Sequence, residues 1–83
     1  MAERPRVTLY TRASCCLCDD AKRVLERVRR RVGFDFEEVD IDSDAVLRRI
    51  YNEEVPVIAI NGAKAFKYRV TETELLKKLA ARA

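Results

Sequence analysis

Three cysteines, Cys15, Cys16 and Cys18, lie within four consecutive positions of the chain. Cys15 and Cys18 form a Cys-x-x-Cys pair, a spacing that recurs in redox and metal sites. An odd number of cysteines in so short a segment does not make a framework of structural disulfides. We therefore expect the cluster to act in thiol–disulfide exchange or in metal binding.

The chain contains no histidine, which narrows the chemistry further. Its absence excludes Ser-His and Cys-His nucleophile pairs, histidine acid–base catalysis and every histidine-containing metal site. A closed tetrahedral zinc site needs four ligands, and the chain offers three thiols and no imidazole. We expect no resident metal, although a carrier of Cu(I), zinc or an iron–sulfur cluster shared between two chains stays open as an alternative.

Length and composition predict one small α/β domain spanning residues 1–83. Hydrophobic residues make up 48% of the chain and charged residues 37%, which is typical of a soluble globular protein. The longest apolar run, Val55 to Ile60, is far shorter than the roughly 20 residues of a membrane span. No signal-peptide pattern precedes the first strand, so we expect a cytoplasmic protein without a membrane partner.

The elements that position the cysteines are a strand and a long helix. Arg6 to Tyr10 alternates and is rich in β-formers, which predicts a strand. A helix is then expected from about Cys16, with Gly33 at its C-cap. Its apolar stripe has the spacing of an amphipathic helix of about four turns. The stripe consists of Leu17, Ala21, Val24, Leu25, Val28 and Val32.

Five further elements are predicted in the order strand, helix, strand, strand, helix. They are a strand over 34–41, a short helix with Ser43 as N-cap, a strand over 57–60, a strand over 64–70 and a last helix opened by a Thr71–Glu74 capping box. Asn61-Gly62 predicts a hairpin between the last two strands. The order β-α-β-α-β-β-α indicates a four-stranded mixed sheet with three helices on its faces. Phe66 and Tyr68 alternate on the return strand, and we expect both to pack in the core or at the sheet edge, with stacking on a substrate as the alternative.

This arrangement places Cys15 at the N-cap of the long helix. Backbone N–H groups are unpaired there and the helix dipole is positive, so both favour a thiolate. Thiols at such positions have a pKa below the free value of about 8.5, and Arg12 adds a positive charge nearby. Cys18 follows one turn later on the same side of the helix, and we expect it to be more covered than Cys15. From there it can attack a mixed disulfide formed by Cys15.

Charged residues are laid out in two blocks. A nucleic-acid site would need aromatic partners or a long basic face, and the basic block has neither. We therefore expect a solvated helix face and no nucleic-acid partner. A non-enzymatic interaction module that docks through this face stays open as an alternative. The basic block consists of Lys22, Arg23, Arg27, Arg29, Arg30 and Arg31, and the acidic block of Asp35, Glu37, Glu38, Asp40, Asp42 and Asp44.

Several motifs in order along the chain carry a family resemblance. They are Val7-Thr8-Leu9-Tyr10-Thr11-Arg12, Cys15-Cys16-Leu17-Cys18-Asp19, Val55-Pro56-Val57 and Asn61-Gly62. With these motifs the chain resembles a glutaredoxin-like protein of the thioredoxin fold, in particular the short members with Leu before the second cysteine. The resemblance covers nearly the whole chain.

The resemblance implies a thiol–disulfide oxidoreductase in which Cys15 is the nucleophile and Cys18 the resolving thiol. It also implies a cis Val55–Pro56 bond facing the cysteines, with Arg12, Val55 and Pro56 contacting a substrate peptide or glutathione. The implied partners are a protein disulfide or a glutathione mixed disulfide. Glutathione or a thioredoxin-reductase-type enzyme would donate electrons, no cofactor would be tightly bound, and the protein is expected to be a monomer.

Some positions differ from the usual family pattern. Cys16-Leu17 replaces Pro-Tyr between the cysteines, and Glu54 replaces the Thr before Val-Pro. We expect Glu54 to repel an anionic peptide. Arg69-Val70-Thr71 stands where the family usually has a Gly-Gly pair, and the return strand is expected to be longer.

Overall fold

The computed structural model describes residues 4–82, and the elements follow the predicted order. Four strands and three α-helices are present: β1 (Arg6–Thr11), α1 (Cys16–Arg31), β2 (Asp35–Asp40), α2 (Ala45–Tyr51), β3 (Val57–Ile60), β4 (Ala63–Lys67) and α3 (Glu72–Arg82). A 3₁₀ turn, Ile41–Ser43, connects β2 to α2. Within the described part of the chain, no helix is both long and apolar enough to cross a lipid bilayer.

The strands form one mixed sheet in the order β2-β1-β3-β4. β1 and β2 are parallel, as the first βαβ unit predicts, while β3 is antiparallel to both β1 and β4. The predicted fold class is therefore confirmed. β1 and β3 are the central strands, and all four residues of β3 are buried, as its uninterrupted apolar sequence indicates.

Helices cover both faces of the sheet. On one face α1 and α3 pack over Val7 and Leu9, and on the other the ring of Tyr10 lies 4.9 Å from that of Tyr51 in α2. The apolar residues of β2 do not alternate regularly along the sequence, because they lie on both faces of the sheet. Phe36 pairs with Val7 and shares its face, whereas Val39 pairs with Tyr10 and shares the opposite one.

The amphipathic stripe of α1 anchors the helix that carries the cysteines. Ala21, Leu25 and Val28 are all buried against the sheet. The predicted C-cap at Gly33 is wrong, because Val32 is the C-cap and its N–H donates to Val28 O at 2.8 Å. Val32 is already extended, with φ −131°, so the chain enters β2 without needing a left-handed residue.

The short helix α2 begins one residue later than predicted. Asp44, not Ser43, is its N-cap, and the carboxylate accepts from Val46 N at 2.8 Å and Leu47 N at 3.2 Å. Ser43 is taken up by the 3₁₀ turn, where its hydroxyl donates to Asp40 O. No side chain of α2 is fully buried, and Ile50 is 52% exposed.

The return strand β4 is shorter than predicted. Asn61 and Gly62 form the hairpin with φ of 52° and 86°, as expected. The strand then ends at Lys67, because Tyr68 turns into the left-handed region with φ 68°. Phe66 packs against the core, but the prediction that Tyr68 also packs is wrong, since Tyr68 is 44% exposed.

Arg12 joins three separate segments at the end of the sheet where β1 stops. Its guanidinium donates to both Asp42 carboxylate oxygens, at 2.8 and 3.3 Å. It also donates to the backbone O of Asn52 at 3.1 Å and to the Asn52 side-chain oxygen at 2.9 Å. The loop after β1, the 3₁₀ turn and the turn before β3 are thus held together by one side chain.

The last helix begins with the predicted capping box. Thr71 Oγ1 accepts from Glu74 N at 3.2 Å and donates to the Glu74 carboxylate at 3.0 Å. Leu75 and Leu79 then enter the core. The cap therefore fixes where α3 starts relative to its buried leucines.

Removing this cap should destabilise the fold. We expect Thr71→Ala to lower the free energy of unfolding by about 1 kcal/mol, because orphan N–H groups of the first turn lose their acceptor. Urea denaturation measures the change. Thr73→Ala is the matched control, since Thr73 is exposed inside the same turn and Ala is the better helix former. Equal losses in the two variants would contradict the capping role.

The Arg12–Asp42 pair should make stability depend on acid pH. The hydrogen bond from Arg12 lowers the pKa of Asp42 below its usual value. A carboxylate with a depressed folded pKa stabilises the fold above its unfolded pKa of about 3.9, and this contribution is lost as pH falls through the folded pKa. We expect wild type to exceed Asp42→Asn in free energy of unfolding at neutral pH, with the gap closing below about pH 4. A gap of constant size in urea titrations across that range would argue against the pair.

Candidate active site

Cys15 and Cys18 lie at the start of α1 and are joined by a disulfide. Their Cα atoms are 5.2 Å apart. Cys15 is the N-cap residue, in extended conformation, and α1 begins at the next residue. The sequence predicts that this pair lies where the chain passes from β1 into the long helix, and the structure places it there.

The three sulfur atoms differ in their access to solvent. Cys15 is half-buried, Cys18 is only 2% exposed, and Cys16 is an exposed free thiol outside the disulfide. The chain reaches Cys15 through Ser14, whose φ of 59° turns the backbone sharply before the helix. A reagent approaching from solvent therefore reaches Cys15 before Cys18.

One backbone N–H donates to the Cys15 sulfur as it would to a capping oxygen. Cys15 Sγ accepts from Cys18 N at 3.1 Å, and Cys15 O accepts from Asp19 N at 3.1 Å. The unpaired N–H groups and the dipole of a sixteen-residue helix converge on this point. Negative charge on Cys15 Sγ is favoured here over negative charge on Cys18, whose sulfur is buried.

The Val55–Pro56 segment lies at the same end of the sheet as the cysteines. Tyr10 pairs with Val57, so the chain leaving β1 toward Cys15 runs beside the chain entering β3. The Val55–Pro56 peptide bond is cis, as the resemblance implies. Pro56 is buried and its carbonyl accepts from Tyr68 N at 2.9 Å, while Val55 is half-buried.

Arg12 stands beside the site, and its polar contacts go to Asp42 and Asn52. The hydrogen bond to Asp42 raises the pKa of the guanidinium above its ordinary value. Its contact with Asn52 ties the β1–α1 loop to the turn that leads into Val55 and Pro56. That Arg12, Val55 and Pro56 bind glutathione or a substrate peptide stays a prediction.

Glu54 should repel an anionic peptide less than its sequence position suggests. Its carboxylate accepts from Lys64 Nζ at 2.8 Å, and this hydrogen bond lowers the pKa of Glu54. Lys67 lowers it further by its charge. Because two cations face this carboxylate, much of the repulsion expected toward an anionic peptide is offset.

Several contributors to the site were not identified from the sequence. Asp42 and Asn52, which hold Arg12, come from distant turns, and Lys64, which pairs with Glu54, lies in β4, so none of the three belongs to a motif around the cysteines. Tyr68 was assigned to packing. Among the side chains of the described residues, no three Cys, Asp or Glu groups come together in a way that could hold a metal ion.

Known proteins resemble this chain over almost its whole length. Residues 6–80 match the family model described as "Glutaredoxin-like domain (DUF836)". An uncharacterized protein of Mycobacterium tuberculosis strain H37Rv, Rv0508, is 30% identical over 82 residues, which cover 93% of this chain and 84% of the relative.

Solved structures share the fold as well. The X-ray structure of the structural-genomics target XcR50 from X. campestris has 32% identity and a TM-score of 0.79, covering 93% of this chain and 99% of that one. The thioredoxin of Fasciola hepatica, at 19% identity, superposes with a TM-score of 0.67 over 96% of this chain and 82% of its own. The second likeness concerns the fold alone. The chain thus has the fold of thioredoxin and belongs to the glutaredoxin-like domain family.

Proposed function

We propose that the protein is a thiol–disulfide oxidoreductase that reduces disulfides through Cys15 and Cys18. The observation that carries this proposal is the asymmetry of the pair. One sulfur is half-buried at a helix N-terminus and accepts a backbone hydrogen bond, while its partner is 2% exposed. Such an arrangement suits one thiol to attack from solvent and the other to act internally.

In the first step the Cys15 thiolate attacks one sulfur of a substrate disulfide. The substrate S–S bond breaks, a bond forms between Cys15 Sγ and the attacked sulfur, and the other substrate sulfur leaves as a thiolate that takes up a proton. The N–H groups at the start of α1 stabilise the Cys15 thiolate before attack.

In the second step Cys18 releases the substrate. Cys18 gives up its proton and attacks Cys15 Sγ, so the mixed disulfide breaks and the remaining substrate sulfur leaves as a thiolate. The Cys15–Cys18 disulfide forms, and the substrate has gained two electrons and two protons. Two molecules of glutathione, or the dithiol of a thioredoxin-reductase-type enzyme, then return the pair to its reduced state.

We place this activity in the cytoplasm, with the protein acting as a monomer. In a reducing compartment a disulfide persists only transiently, which suits a catalytic pair and not a structural one. The substrates are disulfides of proteins or mixed disulfides with glutathione. No tightly bound cofactor is required, since the electrons arrive through thiols.

The two cysteines should give different phenotypes on substitution. We expect Cys15→Ser to abolish reduction of a disulfide substrate, because no thiolate remains to attack. Cys18→Ser should accumulate a covalent adduct through Cys15, because the mixed disulfide has no internal thiol to resolve it. Turnover with glutathione and its reductase, and separately with thioredoxin reductase, measures the first effect, and intact-mass spectrometry the second.

Cys16→Ser is the matched control for these variants. It removes a neighbouring sulfur that stands outside the disulfide, so turnover should persist. If Cys15→Ser and Cys18→Ser kept equal activity, the assigned roles would be wrong.

The reduced protein should also show one acidic thiol. In a Cys16→Ser background, the rate at which iodoacetamide alkylates Cys15 reports the pKa of that thiol. We expect this pKa to lie below the free value of about 8.5, because helix N–H groups stabilise the thiolate. Cys18 should react slowly at all pH values because it is buried. The pH dependence of alkylation, followed by peptide mapping, separates the two. An ordinary thiol pKa at Cys15 would remove the basis of the mechanism.

A further inference from the structure

Tyr68 occupies a backbone conformation that an aromatic residue seldom adopts. Its φ is 68°, in the left-handed region, where a bulky side chain is an outlier. Two hydrogen bonds hold it there, from Tyr68 N to Pro56 O at 2.9 Å and from Arg69 N to Lys67 O at 2.8 Å. Strain of this kind concentrates at functional sites, and here it leaves the ring 44% exposed beside the cis-proline segment.

The Tyr68 side chain separates two open grooves. The first is lined by Leu17, Val70 and Arg69, and Leu17 precedes Cys18 in the first turn of α1. The second is lined by Ile50, Arg49 and Lys67 and runs along α2. A ligand that fills both grooves must pass over the Tyr68 ring.

The exposed side chains along these grooves combine apolar and cationic groups. We call them the Tyr68 patch: Arg49, Ile50, Lys67, Tyr68 and Arg69. Ile50 is 52% exposed and Tyr68 44%, which makes them two of the large hydrophobic side chains that the fold leaves uncovered. The Lys67 ammonium lies 5.5 Å from the Tyr68 ring centroid.

The charge of the patch is positive. Among the residues that the structure describes, no carboxylate pairs with Arg49, Lys67 or Arg69. Three carboxylates line the same grooves, but two already have cationic partners. Glu54 pairs with Lys64 at 2.8 Å and Asp20 with Arg23 at 3.5 Å, which leaves Glu53 as the third.

We propose that the Tyr68 patch is the substrate-recognition surface of the proposed oxidoreductase, and that it selects protein disulfides whose cysteine is flanked by acidic and apolar residues in an extended segment. This inference rests on the proposed function. Leu17 and Val70 in the first groove and Ile50 in the second receive apolar side chains, and the cations Arg49, Lys67 and Arg69 meet the carboxylates. A small disulfide cannot reach both grooves at once, so the patch distinguishes polypeptide substrates.

Peptide disulfides that differ only in flanking charge test this surface. Three versions of one peptide carry Glu, Gln or Lys beside the cysteine, and hydroxyethyl disulfide serves as an uncharged reference. Exposed ion pairs are weak individually, so we expect kcat/KM for the Glu peptide to exceed that for the Gln peptide by about two- to fivefold at low salt. The preference should appear in KM and fade at 0.5 M salt, where charges are screened.

Charge reversal and ring removal separate the parts of the patch. Arg69→Glu should shrink the difference between the Glu and Lys peptides, because only Arg49 and Lys67 of the three cations remain. Lys78→Glu, on the exposed face of α3, makes the same change of charge outside the patch and should keep the wild-type difference. Tyr68→Gly should lower kcat/KM for every peptide relative to hydroxyethyl disulfide while raising resistance to urea, since glycine suits a positive φ. Tyr68→Phe should restore the peptide rates.

The outcomes distinguish failure of the recognition surface from failure of the proposed oxidoreductase function on which it rests. If wild type reduces hydroxyethyl disulfide but treats the three peptides alike, the recognition surface is wrong and the oxidoreductase stands. If no disulfide is reduced, both fail. Equal effects of Arg69→Glu on oxidised glutathione and on the Glu peptide would also overturn the proposal, because the site would then serve the tripeptide.

Discussion

The hydrogen bond from Cys18 N to Cys15 Sγ joins the fold of this protein to its chemistry. Each α-helix here opens on a side-chain acceptor, which is Asp44 for α2, Thr71 for α3 and a sulfur for α1. A neutral thiol is a weak acceptor, whereas a thiolate is a strong one. The cap of α1 is therefore best made when Cys15 is reduced and ionised, so the stability of the helix and the reactivity of the sulfur favour the same state.

That coupling acts more on departure of the sulfur than on its attack. For any thiol whose pKa falls from about 8.5 to about 5.5, the thiolate fraction at pH 7 rises roughly 30-fold, while the intrinsic nucleophilicity falls roughly 15- to 30-fold. The two changes nearly cancel. A stabilised thiolate still leaves faster when another thiol attacks the sulfur to which it is bonded. In the proposed mechanism the N-cap position thus helps Cys15 mainly as a leaving group, when an external thiol attacks the sulfur bonded to Cys15.

Local patterns along the sequence predict most of the architecture. The stripe of α1, the apolar run of β3, the Asn61-Gly62 hairpin and the Thr71 capping box each depend on neighbouring residues, and each is found. Errors arise where neighbouring residues compete for one role, as Ser43 and Asp44 do for the N-cap of α2. Contacts between distant loops, such as Arg12 with Asn52, leave no periodic trace in the sequence. The placement of the site could be predicted, but the groups that support it could not.

Tyr68 shows a different limit. Its alternation with Phe66 indicates a strand, yet β4 ends at Lys67 because Tyr68 adopts a φ of 68°. A β-bulge precedes both residues, since Phe66 pairs with Ile58 and Lys64 with Ala59, so that Ala65 is the extra residue. Alternation along the sequence reveals neither the left-handed residue nor the bulge.

The bulge also constrains how this part of the molecule can vary. If β4 paired without the bulge, Ala65 would oppose Ile58 and Phe66 would oppose Val57, so Phe66 would leave the core and Lys67 would exchange faces with it. A substitution along β4 changes one side chain, whereas such a slip of one residue would invert every position between the bulge and the cis-proline contact. The bulge at Ala65 is therefore what keeps Phe66 on the core face of this hairpin.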